Sequence, residues 1–186
     1  MKTLQQHLIQ YAAYHRDGRN IGTHLIGIPV IVCAVAVVLS RWHLTLGGVS
    51  WPLSLPVLLG FGLFYLRLHL GLGLLMGALL AGVGLLGAWA AAQPQAVWLA
   101  LGVGGFVGGW VMQFIGHAFE GRKPAFVDDL IGLAVGPLFV VAEVLFKLGL
   151  MRGLRDEIEA HFAQAGAVPA RGVQAAAGQP AGSAQG

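Results

Sequence analysis

Long apolar runs dominate this chain and restrict the folds that it can adopt. Four uncharged runs cover residues 25–39, 53–66, 70–92 and 96–119. A helix that crosses a bilayer needs roughly 20 predominantly apolar residues, which these runs supply once their flanks are included. Hydrophobic residues make up 56% of the chain and charged residues only 10%, unlike a soluble globular domain. We therefore predict an all-α fold, a polytopic membrane helix bundle with four transmembrane helices.

The two ends of the chain differ from these runs. Apolar residues recur at helical spacing within residues 2–15, which predicts an amphipathic helix on the membrane surface. Residues 126–150 are apolar but contain acidic residues and a Gly-Pro pair at 136–137. This pattern predicts two half-depth helices or a kinked span. Residues 164–186 are mostly Ala, Gly, Gln and Pro and predict a disordered tail after a single domain, residues 1–163.

Positive charges predict the orientation of the bundle. With four spans, one side of the membrane carries most of the basic residues before the last apolar region. These are Lys2, Arg16, Arg19, Arg67, Arg122 and Lys123. The positive-inside rule makes this side cytoplasmic. Further basic residues at 147–155 lie on this cytoplasmic side only if the last apolar region returns to the same face. The positive-inside rule therefore favours a re-entrant ending.

Other classes are disfavoured by what the chain carries. No basic stripe is interleaved with aromatic side chains, so we expect no nucleic-acid partner. Cys33 is the single cysteine and lies within an apolar run, where a buried, inert thiol is expected.

Three histidines mark the edges of the predicted spans. His15 and His24 bracket the start of the first run, and His117 closes the fourth. If these two spans run in opposite directions, the three imidazoles lie in one layer of the membrane. Two or three histidines with a carboxylate form a ligand set used by non-haem Fe(II) enzymes. The alternative is three interfacial histidines, each bonded to a backbone carbonyl.

Two separated blocks resemble a known family. The first block is Tyr14-His15-Arg16-Asp17-Gly18-Arg19-Asn20, followed by His24-Leu25-Ile26-Gly27-Ile28-Pro29. The second comprises Trp110, Gln113-Phe114-Ile115-Gly116-His117, Glu120, Pro124-Ala125 and Pro137-Leu138-Phe139 with Glu143. Over about residues 8–150 the chain resembles the membrane-embedded 2-hydroxy fatty acid dioxygenases known from fungal sphingoid-base degradation.

The resemblance implies an enzyme and a cofactor. It implies Fe(II)-dependent use of O2 to shorten a 2-hydroxy fatty acid by one carbon, with His15, His24 and His117 as metal ligands. Fungal members reside in the endoplasmic reticulum. The short loops and Ala/Gly-rich end of this chain favour a bacterial inner membrane, with the site and the N-terminus facing the cytoplasm.

Further residues are candidates for supporting roles. Asn20, Gln113 and Asp129 could orient the imidazoles. Glu120 could be a metal ligand, a second-sphere residue or the partner of Arg122, and we expect the second-sphere role. The basic residues near the site could attract the substrate carboxylate, although positive-inside topology alone also explains them; they are Arg16, Arg19, Arg122 and Lys123.

The remaining histidines receive weaker predictions. His69 could be a fourth ligand, although an interfacial histidine is expected more often. His7, on the surface helix, His43, on the opposite side of the membrane, and His161, in a solvated helical stretch, are expected to have no function.

Glycines in the third and fourth runs admit two interpretations. They are Gly71, Gly73, Gly77, Gly84, Gly104, Gly105, Gly108 and Gly109. Small residues at this spacing allow close helix packing, or they leave a slot for an acyl chain.

A different class of function also stays open: a small-molecule or ion transporter or channel with a metal-regulated site at the cytoplasmic face. A structural membrane module is the third class. The closely spaced histidine clusters of a di-iron desaturase do not occur.

Overall fold

The computed structural model describes residues 2–121 and 131–166, and these residues are almost entirely helical. The helices are α1 (Leu4–Ala12), α2 (Gly18–Ser40), α3 (Ser54–Leu68), α4 (Leu70–Ala91), α5 (Gln95–Leu99), α6 (Gly105–Glu120), α7 (Ile131–Lys147) and α8 (Arg152–Gln164). A π-helical segment, Ala100–Gly104, joins α5 to α6, so that Gln95–Glu120 form one long helix.

An antiparallel pair, α2 and α6, forms the centre of the bundle. Gly27 packs against Gly109, and Gly105 packs against Ala34. A Cβ atom on either Gly27 or Gly109 would lie within 3.0 Å of the other's carbonyl oxygen, so these contacts require glycine. The beginning of α2 therefore lies beside the end of α6. We call this end of the bundle the proximal end, and the end at Ser40 the distal end.

A helical hairpin, α3 and α4, covers another side of α2. Gly73 packs against the backbone of Leu66, which brings the two helices together beside their short connection. At the distal end, Gly87 of α4 lies against Ala36, and the Ser40 hydroxyl donates to Ser54 Oγ at 2.8 Å.

The highlighted glycines mostly serve packing or face outward. Gly73, Gly105 and Gly109 contact neighbouring helices, Gly84 contacts Leu58, and Gly71 contacts the ring of His69; Gly77, Gly104 and Gly108 have open space where a side chain would be. None of them lines a cavity that extends from the histidines. The prediction of close packing is thus confirmed for the first group, and the predicted acyl slot does not lie at these glycines.

The N-terminal helix packs against protein. A capping box between Thr3 and Gln6 begins α1, and its apolar face, including Leu8 at 1% exposure, packs against α7 and α8. The predicted helix is present, but its apolar side packs against α7 and α8. The surface position predicted for His7 is wrong, because this side chain is buried and packs edge-on against Phe64.

The last two helices return to the proximal end. Gly136 of α7 lies against Ile28 of α2, and Phe139, almost one turn later, packs against His15. Since His15 precedes α2, α7 runs antiparallel to that helix. Glu159 of α8 forms a salt bridge with Arg16 at 3.0 Å, so α8 also lies at this end.

The helix is not broken at Gly136-Pro137, and the bend of the last segment lies farther along the chain. Pro137 lies inside the continuous helix Ile131–Lys147. Proline removes a backbone donor and disturbs the preceding turn, and in that turn the Tyr65 hydroxyl donates to Ala134 O at 2.8 Å. The chain bends instead between α7 and α8, by 108°, where Gly149 and Met151 have positive φ angles. Residues 126–130 of the predicted segment, and the predicted tail from residue 167 on, lie outside the described residues.

Among the residues that the structure describes, three helices are long and apolar enough to cross a membrane: Gly18–Ser40, Leu70–Ala91 and Gln95–Glu120. The predicted second span corresponds to α3, an apolar helix of 15 residues, which is shorter than a typical crossing. The bent pair α7 and α8 could form a fourth, broken span. The membrane bundle is therefore supported with three to four candidate spans.

A short β-hairpin at the distal end is an element that the sequence did not lead us to expect. Strands His43–Leu46 and Val49–Pro52 pair antiparallel around Gly47 and Gly48, which both have positive φ. Such a two-residue turn favours glycine. The hairpin exposes Trp51, an amphipathic side chain suited to a membrane interface.

Candidate metal centre

Three histidines from separate parts of the chain meet at the proximal end. His15 lies in the turn between α1 and α2, His24 in the second turn of α2, and His117 in the last turn of α6. One nitrogen from each ring can be chosen so that all three lie within 4.8 Å of one another. The predicted meeting of these residues is thus present, because α2 and α6 are antiparallel.

Backbone carbonyls orient two of the imidazoles. His15 Nδ1 donates to Tyr11 O at 2.8 Å, and His24 Nδ1 donates to Asn20 O at 2.9 Å. A carbonyl oxygen can only accept, so the proton of each neutral ring is on Nδ1 and each Nε2 presents a lone pair. The alternative interpretation, histidines bonded to backbone carbonyls, is therefore correct for His15 and His24 but not for His117 Nδ1, which has no hydrogen-bond partner among the described residues.

The Nε2 atoms of these two rings face each other. His15 Nε2 and His24 Nε2 lie 3.1 Å apart. Two lone pairs at this separation repel each other unless a cation, or a proton, lies close to both. Three convergent neutral imidazoles suit iron, zinc, copper or nickel, so the residues present fit a transition-metal ion.

Burial keeps the cluster in the form that binds metals. His15 and His24 are each 1% exposed, and His117 is 7% exposed. Burial lowers the pKa of His15 from 6.5 to about 4; the hydrogen bond to Tyr11 opposes this shift, and the neighbouring His117 adds to it. His15 is therefore neutral at physiological pH, as a metal ligand must be. The ring of Tyr11 stacks on that of His15, with centroids 4.2 Å apart.

Glu120 holds the turn that carries His15. Its carboxylate accepts hydrogen bonds from the backbone N–H groups of Arg16 (2.9 Å) and Asp17 (2.8 Å) and from Asn20 Nδ2 (3.0 Å). Among the described residues, the group that could hold an ion consists of the three histidines without Glu120. Glu120 thus lies close to the three histidines, as expected. Its carboxylate accepts hydrogen bonds from the turn before α2 and from Asn20, and none from an imidazole. The pairing with Arg122 lies outside the described residues.

Asn20 acts on His24 through its main chain. Its carbonyl accepts from the His24 ring and, at 2.7 Å, from Thr23 Oγ1. Its side-chain amide donates to Glu120, while Oδ1 is buried without a hydrogen-bond partner. Asn20 therefore orients an imidazole, as expected for this residue, and it does so through its backbone carbonyl.

Gln113 lies beside the cluster without bonding to it. The side chain is 5% exposed, and its Nε2 atom has no hydrogen-bond partner among the described residues. The same holds for His117 Nδ1. The predicted role of Gln113 in orienting an imidazole thus has no support in the observed contacts.

The predicted substrate-binding arginines have other partners. Arg16 forms a two-bonded salt bridge with Glu159 and lies over the ring of Phe162. Arg19 pairs with Asp17 and lies over Phe119. Neither lines the cavity next to the histidines. Arg122, Lys123 and Asp129 lie outside the described residues.

His69 is separate from the cluster. It caps the start of α4, where its Nδ1 accepts from the backbone N–H of Leu72 at 3.1 Å. His69 is not part of the histidine group, so the possible fourth ligand is not brought to the site. His43 and His161 are exposed, on the hairpin and on α8.

A cavity of about 80 Å³ adjoins the cluster. It lies between α2, α6 and α7. Its polar lining consists of His24, His117, Gln113 and the ring of Tyr11, and its other lining residues are Ile28, Ile31, Val32, Trp110, Gly132, Leu133, Gly136 and Pro137.

Sequence reasoning missed two contributors to the site. Tyr11 supplies the carbonyl and the stacked ring for His15. The two residues are four positions apart, a spacing that predicts contact on a helix. Gly116 lies against Asn20, Thr23 and the His24 ring. In the sequence, the only indication of this contact is that Gly116 lies between Gln113 and His117.

Comparison with known proteins agrees with this geometry. Residues 1–148, which contain all three histidines, match the model of a family described as 2-hydroxy-palmitic acid dioxygenase Mpo1-like. The chain is also 36% identical, over 160 residues, to the 2-hydroxy-palmitic acid dioxygenase of Saccharomyces cerevisiae, across 84% of this chain and 87% of that protein. No solved structure matches the chain. From these matches, the chain belongs to the 2-hydroxy-palmitic acid dioxygenase Mpo1-like family.

Proposed function

We propose that this protein is an Fe(II)-dependent membrane dioxygenase that uses O2 to shorten 2-hydroxy fatty acids by one carbon. The observation that carries the proposal is the buried group of three neutral histidines with two Nε2 atoms 3.1 Å apart. The name of the yeast relative supplies the substrate class.

The overall reaction balances without a further reductant. Carbon 2 of the 2-hydroxy acid becomes the carboxyl carbon of the shortened acid, and carbon 1 leaves as CO2. The two carbons lose four electrons in total, which reduce the two oxygen atoms of O2. One oxygen atom enters the shortened acid, and the remaining oxygen and hydrogen atoms leave as water.

Iron is the ion that best matches this chemistry. Bound Fe(II) would supply a redox-active Lewis acid that chelates the hydroxyl and carboxylate groups and activates O2. His15, His24 and His117 would hold it. Tyr11 O and Asn20 O fix the ring orientations, and the carboxylate of Glu120 fixes the turn between α1 and α2.

The remaining residues act on the substrate and on water. Apolar side chains of α2 and α7 line the cavity and would exclude water from the reacting carbons. Arg16, Arg19, Arg122 and Lys123 would raise the local concentration of the anionic substrate. Because Arg16 and Arg19 are already paired, we assign these two a long-range effect.

We further propose a bacterial inner-membrane location with the proximal end in the cytoplasm. Arg16, Arg19, Arg152 and Arg155 belong to the turn and to α8 at that end, in keeping with the positive-inside rule. Ile158 and Phe162 of α8 pack into the core, which favours one domain up to about residue 163. The transporter alternative expected a broken helix at Pro137, and the helix is continuous there; the bend between α7 and α8 does not distinguish the two classes.

Metal analysis and oxygen uptake test the proposal together. Protein purified without oxygen should contain close to one iron per chain. It should consume O2 with 2-hydroxypalmitate and yield pentadecanoate. His117→Ala should abolish both iron binding and uptake, whereas His43→Ala, at the exposed distal hairpin, should leave both unchanged. Wild-type protein without iron, or oxygen uptake retained in His117→Ala, would refute the proposal.

A further inference from the structure

The cavity beside the histidines is a cleft with lipid-accessible residues at its edge. α2 forms its floor, and α6 and α7 form its walls. Leu133 on the α7 wall is 48% exposed, and Trp110 on the α6 wall is half-buried. Within the part of the chain that the structure describes, the cleft therefore reaches the outer surface of apolar helices.

The lining changes character along the cleft. His24, His117 and Gln113 lie at the proximal end, and the lining farther along α2 is Ile28, Ile31 and Val32. A molecule with a polar head and an apolar tail matches this distribution. The head would then lie next to the histidine cluster.

Gln113 indicates that the polar end takes a ligand. The Gln113 side chain lines the cleft, and its buried Nε2 atom has no hydrogen-bond partner among the residues that the structure describes. Leaving a buried amide donor unsatisfied costs about 1–3 kcal/mol. A carboxylate or hydroxyl oxygen in the cleft would accept this hydrogen bond.

The length of the cleft limits how much of a tail it holds. His24 and Val32 are eight positions apart on α2, which is about 12 Å at 1.5 Å per residue. An extended chain advances roughly 1.2 Å per bond, so the open cleft spans about ten bonds in length, and its volume of about 80 Å³ encloses only part of such a tail. A longer tail must continue into the bilayer.

We propose that this cleft is the acyl-chain site, that the substrate enters it sideways from the bilayer, and that Gln113 donates a hydrogen bond to the substrate head group. The proposal rests on the proposed function, because it assigns the substrate of that site. It makes Leu133 a specificity-determining residue. Gly136 lies against Ile28, and Leu133, almost one turn earlier on antiparallel α7, lies farther from the histidines.

A tryptophan at the edge of the cleft tests the proposal. Leu133→Trp should lower kcat/KM for 2-hydroxypalmitate at least tenfold, and should change that for 2-hydroxybutyrate less than twofold, because the short acid ends before residue 133. The matched control is Val144→Trp, which is on the same helix, is similarly exposed (43%) and is outside the cleft. It should change neither value. Equal effects of the two tryptophans, or an equal loss for both acids, would overturn the proposal.

Photolabelling of wild-type protein gives a readout that needs neither iron nor turnover. A 2-hydroxypalmitate analogue with a diazirine in the first half of its tail should label cleft residues of α2 or α7, and excess 2-hydroxypalmitate should suppress the labelling. Labelling confined to α3 or α4 would contradict the proposed site. If the wild-type protein neither binds iron nor consumes O2 but the cleft is labelled, the proposed reaction fails while the lipid site stands.

Discussion

At the residue scale, Gly116 allows α2 and α6 to approach closely beside His24 and His117. Gly116 lies one residue before His117, and a Cβ there would overlap Thr23 Oγ1 and approach His24 Nδ1 to 3.2 Å. The contact therefore affects both a ligand and the residues that surround it. Small residues at helix crossings permit such approaches, and here the crossing is at the metal centre.

Gly116→Ala should separate α2 from α6 at the histidines. We expect iron content to fall below half of the wild-type value and stability to fall by about 1–3 kcal/mol, as in other overpacked cores. The control is Gly108→Ala on the same helix, where no atom lies within 4 Å of the added Cβ. Iron content and melting temperature in detergent check both variants, and equal iron content in the two would contradict this role of Gly116.

The residue types of the site could be predicted from the sequence, but their partners could not. His15, His24 and His117 stand out because imidazoles at the edges of apolar runs are rare. The groups that orient His15 and His24 are carbonyls of Tyr11 and Asn20, and every residue has a carbonyl. Side-chain identity therefore led to the amide of Asn20, whereas its main chain makes the contact.

At the element scale, Glu120 connects the end of α6 to the turn before α2. Three N–H donors share its carboxylate, two of them from the backbone of Arg16 and Asp17. Hydrogen bonds to a charged group contribute about 1.5–3 kcal/mol each. The position of His15 thus depends on a residue 105 positions away in the chain.

Glu120→Gln should loosen this connection while keeping the shape of the side chain. The amide NH2 group cannot accept a hydrogen bond from a backbone N–H, so at least one of the three bonds is lost. We expect a melting temperature several degrees lower and metal affinity weakened about tenfold. Glu157→Gln, on the exposed side of α8, is the control. Unchanged metal affinity in the Glu120 variant would show that the turn is held by other contacts.

Helix bounds could be predicted where an apolar run alone determines the helix. They could be predicted less well where contacts with distant parts of the chain also matter. α4 ends within one residue of its predicted run because nothing but apolar residues fills it. At Pro137 the expectation failed, because the helix continues through the proline; the hydroxyl of Tyr65, a residue distant in sequence, binds Ala134 O in the preceding turn. The hairpin was not predicted, although Gly47-Gly48 favours a turn. A search for long apolar runs does not find strands of only four residues.

At the scale of the whole molecule, the two ends of the bundle have different properties. The proximal end contains the histidine cluster, the salt bridge between Arg16 and Glu159, and α8. The distal end contains the exposed hairpin with Trp42 and Trp51. If the bundle crosses the membrane as we propose, the histidine cluster and the exposed tryptophans lie at opposite membrane faces.

Single cysteines should report this difference between the faces. In a Cys33→Ser background, which removes the native cysteine, His43→Cys lies at the distal end and His161→Cys at the proximal end. With inverted membrane vesicles, a membrane-impermeant maleimide should label residue 161 only, and with intact spheroplasts residue 43 only. Labelling of both from one side would contradict the arrangement, and the reversed pattern would contradict the cytoplasmic placement of the site.

The general architecture followed from the sequence, but the number of crossings did not. Apolar length predicted a helical membrane bundle, and the antiparallel order of the first and fourth runs brought the histidines together. α3 has only 15 residues, and whether a helix of this length crosses depends on the helices around it and on bilayer thickness. Neither can be deduced from a hydropathy pattern.

The turn containing His15 has a consequence for the lifetime of the protein. His15 follows α1 directly, while the other two histidines belong to the central helix pair. A bound ion would therefore tether the first fifteen residues to the bundle, in addition to the contacts of α1 with α7 and α8. If the proposed iron site were empty, that tether would be absent, and α1 would be held by its contacts with α7 and α8 alone. Cellular proteases that recognise a loosened terminus would then remove the idle enzyme first, and its abundance would follow the iron supply.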